Sequence, residues 1–241
     1  MRHIVGNWKA NGTADYARAL CAALVRPPAG VEAAVCPPFT ALAAARDGLP
    51  EGIGLGAQDV SRTEGGAFTG EVTAAMLRDA GCRLALVGHS ERRQHFGETD
   101  AHVRAKLAAC WPAGLLPLLC VGETAEQRAS GRAAEVLRAQ VRGALEGAAP
   151  GPLWIAYEPV WAIGTGTPAA PLDCAAGLGA IRGALAEAWP EAAVPLLYGG
   201  SVNPGNCAAF WSAGGAEGAL VGGASLDAAA FGAICRAAGE G

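Results

Sequence analysis

The sequence predicts an α/β chain closed into a (β/α)8 barrel with a parallel eight-stranded core. Three observations predict it. Short runs rich in Val, Ile and Leu alternate with longer Ala-, Leu-, Arg- and Glu-rich stretches, at a spacing of about thirty residues. Several short runs are apolar on both faces, such as Leu84-Ala85-Leu86-Val87, which suits parallel strands covered by helices. The units number eight with no spare element, and 241 residues is an ordinary length for one such barrel.

Taken in order, the strands are read at 3–8, 31–36, 53–58, 84–88, 115–121, 153–157, 194–198 and 217–221. Helical stretches follow at 14–25, 40–47, 73–80, 99–111, 124–147, 172–189, 204–212 and 226–238. Pro117 is awkward inside the fifth strand, because proline cannot donate to a ladder. Gly177 and Gly179 should weaken the sixth helix locally. No Gly/Ser-rich linker or charge run divides the chain, so residues 1–241 are read as a single domain.

Composition narrows the function. An apolar fraction of 51% with 17% charged residues is not that of a disordered chain. A net charge of −4 argues against a nucleic-acid or anionic-membrane surface. No run approaches the roughly 18 apolar residues of a membrane span, and the N-terminus carries no secretory pattern. The eight cysteines form no CxxC pair and no zinc spacing, and read as small buried hydrophobes in a reducing cytosol. The chain is therefore expected to be cytoplasmic. Ala is the commonest residue, at 56 positions, while Lys occurs only twice, as Lys9 and Lys106, against 16 Arg. A site that needed only positive charge would more often carry Arg here.

Barrels of this kind place function at the C-terminal ends of their strands. Those ends read Gly6-Asn7-Trp8-Lys9, Gly88-His89-Ser90-Glu91-Arg92-Arg93, Tyr157-Glu158-Pro159-Val160-Trp161-Ala162-Ile163-Gly164-Thr165-Gly166, Tyr198-Gly199-Gly200-Ser201 and Gly222-Gly223-Ala224-Ser225. If the barrel closes, Lys9, His89 and Glu158 converge on one mouth. Glycine-rich ends after strands seven and eight fit a phosphate site built from backbone N–H groups. Singly, each residue has a plainer reading. Glu158 could pair with an Arg or cap a helix, Lys9 could be a solvated charge, and Gly222-Gly223 could be an ordinary turn. His3, His95 and His102 are read as core histidines.

These five segments, in this order and over essentially the whole chain, resemble the triosephosphate isomerase family. The resemblance implies a TIM barrel that interconverts dihydroxyacetone phosphate and D-glyceraldehyde 3-phosphate through an enediolate, as in glycolysis and gluconeogenesis, without metal or organic cofactor. It implies that Glu158 is the general base, strengthened by a burial-raised pKa. It implies that His89 polarises the substrate oxygens; the family is a standard example of an imidazole kept neutral by a helix N-terminus. Lys9 would stabilise enediolate and phosphate charge, and Asn7 would orient a substrate oxygen. Gly164, Ser201, Gly222 and Gly223 would grip the phosphate. Glu91 would pair with Lys9, and Cys120 would pack behind the glutamate.

Residues 159–169 resemble the family's mobile lid, itself a standard example of closure over substrate. The loop at 58–71 resembles the one through which family members form homodimers. Two departures stand out. Ala10 replaces a usual Met, and Thr167-Pro168 replaces a Lys-containing hinge, where Pro168 fixes one φ. Two alternatives stand beside this one. A paralogue acting on a four-carbon ketose phosphate would share the catalytic set, whereas a non-catalytic phosphate-binding barrel predicts loss of at least one of Lys9, His89 and Glu158, and all three are present.

Overall fold

The computed structural model describes residues 1–164 and 168–240. In chain order the elements are β1 (Arg2–Asn7), α1 (Ala14–Ala23), β2 (Val31–Cys36), α2 (Leu42–Gly48), β3 (Ile53–Ala57), α3 (Ala74–Asp79) and β4 (Leu84–Val87). There follow α4 (Ser90–Phe96), α5 (Asp100–Cys110), β5 (Leu116–Val121), α6 (Ala125–Ala129), α7 (Ala133–Leu145) and β6 (Trp154–Tyr157). The chain ends with α8 (Pro171–Ala188), β7 (Leu196–Tyr198), α9 (Cys207–Ser212), β8 (Gly218–Val221) and α10 (Ala228–Gly239). The strands form a closed barrel in sequence order, and β8 pairs in parallel with β1 from His3↔Gly218 to Gly6↔Val221.

Alternation along each strand divides the core. Val5, Ala34, Cys36, Leu86, Leu118, Cys120, Ala156, Leu197 and Leu220 form a compact cluster of their own. Their neighbours, such as Ile4, Val35, Val87, Leu119 and Ile155, belong to the larger cluster shared with the helices. The small cluster fills the barrel and the large one joins barrel to helices, so both strand faces are apolar, as the sequence required.

Pro117 fits because of where β6 begins. Leu116 N–H donates toward β4, to Arg83 O at 2.9 Å, so the next residue faces β6. The first β5–β6 pair is Leu118↔Trp154, one step further on, and no ladder donor is lost. Gly177 is explained by packing. A Cβ there would lie 2.5 Å from the Tyr157 ring, so the helix gives up propensity to let that ring against its backbone.

Three readings are corrected. The stretch 124–147 is two helices, α6 and α7, separated by a left-handed Gly131 with φ +72°. A further helix, α4, follows β4, begun by His89 and ended by Gly97 in the left-handed region. Among the histidines read as core, His3 is buried, His95 is exposed on α4 and His102 is half-buried. The eight cysteines are buried free thiols. No helix among the described residues is long and apolar enough to cross a membrane.

Candidate active site

The end of β1 turns sharply. Lys9 has φ +53°, the one non-glycine residue with positive φ among the described residues. Such a conformation persists only when its surroundings hold it. Here Asn7 Oδ1 accepts the Lys9 N–H at 3.0 Å, and Gln58 Nε2 donates to Lys9 O at 2.7 Å and to Cys36 O at 2.9 Å. Asn11 Nδ2 donates to Trp8 O at 2.7 Å. The turn presents the ammonium to the barrel mouth, where Nζ lies 2.5 Å from Glu91 Oε1. Glu91 is thus the carboxylate that meets the Lys9 ammonium. Gln58 and Asn11 had no sequence signal of their own, because their partners are backbone carbonyls remote from them or on the same tight turn.

His89 caps α4. Its Nδ1 accepts the Glu91 N–H at 3.2 Å, which leaves the ring proton on Nε2. Nε2 lies 3.0 Å from Glu158 Oε1, and Ser90 N–H donates to Glu158 Oε2 at 3.0 Å. Glu158 is 1% exposed.

The carboxyl's ionisation differs from the expectation. Burial pushes its pKa up, but His89, the Ser90 amide and the Lys9 charge outweigh burial and hold it below the ordinary value. The imidazole is the counterpart. Burial lowers its proton affinity, yet the Glu158 carboxylate and then Glu91 outweigh burial and Lys9, and the net direction is up. The Glu91 amide acts the other way, since it occupies the Nδ1 lone pair that a second proton would need. The neutral tautomer thus rests on that one amide bond, and the raised affinity rests on the contact with Glu158.

Asn7, Lys9, His89, Glu158, Gly164, Ser201, Gly222 and Gly223 all line one cavity of about 370 Å³ at the C-terminal end of the barrel. That volume suits a small ligand. Ser201 Oγ donates to Ala162 O at 2.7 Å, so the hydroxyl is engaged with the segment after β6. Cys120 does not line this cavity. It is fully buried, inside the barrel, and faces Glu158 from behind; burial first, and then that carboxylate, raise its thiol well above the usual range.

The segment after β6 is anchored at both shoulders. Trp161 Nε1 and Tyr157 Oη donate to Glu123 Oε1 at 2.7 and 3.1 Å, and the Arg128 guanidinium lies 4.3 Å over the Trp161 ring. On the far side Ala169 N–H donates to Tyr198 Oη at 3.2 Å. Pro168 is exposed. Thr165, Gly166 and Thr167, the last of them part of the altered hinge, lie outside the described residues. Glu123 was missed as a functional residue; its role depends on two aromatic groups 34 and 38 positions away.

The other lysine occupies a different setting. Lys106 on α5 is paired with Asp59 and Glu98, and Arg92 joins the same two carboxylates. These groups lie at the root of the 58–71 segment, whose residues 64–71 are exposed, Phe68 included.

Comparison with known proteins agrees with this geometry. A family profile described as triosephosphate isomerase matches residues 2–238. The chain is 52% identical over 245 residues to the triosephosphate isomerase of Thermus thermophilus, covering 98% of each protein. It is 51% identical over 247 residues to that of Symbiobacterium thermophilum, covering 98% of this chain and 96% of the relative. It is 50% identical over 240 residues to that of Moorella thermoacetica, covering 96% of each. With the profile spanning the barrel from its first strand to its last helix, and with a lysine, a histidine and a glutamate brought to one mouth, this chain belongs to the triosephosphate isomerase family.

Proposed function

We propose that the chain interconverts dihydroxyacetone phosphate and D-glyceraldehyde 3-phosphate by proton transfer through an enediolate. The observation that carries this reading is the convergence of Lys9, His89 and Glu158 on one small cavity that Ser201, Gly222 and Gly223 also line. An aldose–ketose isomerisation moves a proton between adjacent carbons. One carboxylate can reach both, take the proton and return it. Glu158 is that base. In the free site it is ionised and held by Ser90 N–H and His89.

Substrate entering between the two side chains would break the contact between Glu158 and His89. The imidazole then loses the carboxylate that raises its proton affinity, while the Glu91 amide at Nδ1 remains. Nε2–H is left free to donate to the substrate oxygens as a neutral group. Lys9 supplies the fixed positive charge where the enediolate and the phosphate develop or carry negative charge. Asn7 holds the Lys9 turn and orients a substrate oxygen. Gly164, Ser201, Gly222 and Gly223 grip the phosphate. Closure of the 159–169 segment excludes water, which strengthens these charge interactions.

The proposal extends to the assembly: a homodimer formed through the 58–71 loop, in the cytoplasm, with no nucleic-acid or membrane partner. An exposed Phe68 on a loop whose root braces Lys9 through Gln58 supports that role. Residues 1–241 are proposed to act as one domain.

A coupled assay with glyceraldehyde 3-phosphate beside a four-carbon ketose phosphate tests the substrate. Preferential turnover of the triose is the expected result, and equal or better turnover of the longer sugar would displace it. Glu158→Asp should lose most of kcat while still binding a non-reacting phosphorylated analogue. Near-full activity in that variant would remove Glu158 from the role of base.

A further inference from the structure

Resting on that isomerase reading, we infer that Gln140 is a positioning residue for the base: its side-chain amide replaces the strand that β4 fails to provide beside Gly122, and so fixes the backbone that carries Glu158. The argument begins with strand parity. Along β5 and its continuation, even-numbered residues face β4, as Leu116 N–H does in donating to Arg83 O. Odd-numbered residues face β6. Val121 O accepts Glu158 N–H at 2.7 Å, and Glu123 O accepts Val160 N–H at 3.1 Å. Gly122 therefore turns its N–H and C=O toward β4. But β4 has already left the sheet. Its last pair is Val87↔Leu119, after which the chain bends to present His89.

Both Gly122 groups are nonetheless satisfied. Gln140, on α7, accepts Gly122 N–H at its Oε1, 2.8 Å away, and donates from Nε2 to Gly122 O at 3.0 Å. The pairing admits one orientation of the amide, since only the oxygen accepts and only the nitrogen donates. An amide side chain here does what a peptide of the neighbouring strand would do.

Gly122 has to be held closely because Glu158 rests on it. A Cβ at Gly122 would lie 1.7 Å from the Glu158 carbonyl oxygen and 2.6 Å from its carbonyl carbon. The base's peptide thus packs directly on the Gly122 Cα, with no side chain between. The flanking residues grip Glu158 N–H and Val160 N–H, so a shift of the 121–123 segment moves the base and the start of the 159–169 segment together. Gln140 makes no hydrogen bond to the groups proposed to meet substrate and does not line the cavity shared by Lys9, His89 and Glu158; its two hydrogen bonds both go to Gly122. Its effect on chemistry passes through Gly122.

The test uses the full chain with two variants. Gln140→Leu removes both bonds at similar size. Gln140→Glu is nearly isosteric, keeps the acceptor for Gly122 N–H and sets a second oxygen against Gly122 O. It keeps the experiment alive should the leucine variant fail to fold. A small misplacement of a base costs turnover more than ground-state binding. Both variants should lower kcat per folded molecule by roughly tenfold to a hundredfold. KM and the affinity for glycerol 3-phosphate should stay within about twofold of the parent, and the leucine variant should be the slower. Unchanged kcat per folded molecule, or binding lost in step with kcat, would overturn the inference. An inactive parent in the same assay would instead overturn the isomerase reading on which it rests.

Discussion

The two lysines of this chain sit in opposite electrostatic settings. Lys9 stands at the end of β1 with its side chain 27% exposed, faces a cavity, and has Glu91 as its one carboxylate partner among the described residues. Lys106 lies in α5 with its side chain 7% exposed, between Asp59 and Glu98, with Arg92 closing the cluster. The first ammonium keeps donor capacity for an arriving anion. The second is enclosed between two carboxylates of the protein. Consecutive residues support the two: Gln58 braces the Lys9 turn and Asp59 pairs with Lys106. The contrast teaches that scarcity of lysine in the sequence marked both positions as unusual, but only the number of partners separates a binding charge from a structural one.

The comparison can be broken most severely at Lys106. Removing one member of a buried ion cluster leaves uncompensated charge, a loss of about 3–5 kcal/mol. Lys106→Met should therefore fall by that amount in denaturant unfolding, while kcat per folded molecule stays near the parent's. A variant as stable as the parent would show that the cluster is not a structural element. Lys9→Met should do the reverse. Loss of one transition-state donor commonly costs about 10²–10³ in rate. Turnover should fall on that scale and affinity for phosphate-bearing ligands should weaken, with stability little changed. Intact kinetics would take Lys9 out of the chemistry.

Ionisation gives a finer comparison. Lys106 and Arg92 hold the Glu98 carboxyl below its ordinary value against the effect of burial. Its stabilising contribution is present above the unfolded-state pKa and disappears as pH falls through the depressed folded-state value. Glu158 is depressed as well, so the acid limb of kcat/KM should lie below the ordinary glutamate range and activity should fall only as pH drops through it. A limb at or above that range would contradict the direction assigned to the free site. The smallest effect concerns the thiols. Burial pushes Cys21 and Cys82 up to about 11 and Cys110 up to about 12. Alkylation near neutral pH should therefore be negligible until the chain is unfolded, and rapid labelling of native protein would show that these side chains open readily.

Much of this was legible beforehand. Eight strands were placed within about two residues because most are short apolar runs between turn residues. The convergence of Lys9, His89 and Glu158 followed from their positions at strand ends. Helix boundaries were less legible. The 124–147 stretch keeps helical composition through Gly131, so only the left-handed backbone there reveals the break. The pKa direction at Glu158 was misread because burial can be guessed from sequence, whereas the Ser90 amide and the His89 ring depend on how α4 leaves β4.

The sequence by itself determined the alternation, the motifs that follow the strands and the family, because apolar periodicity and short contiguous motifs are local properties. Tertiary structure decided which of the polar groups are free and which are spent. Whether a lysine meets one carboxylate or two, whether Pro117 forfeits a ladder bond, and whether Gly122 finds an amide depend on where neighbouring elements stop. A strand's end is set by the whole barrel's closure rather than by its own residues.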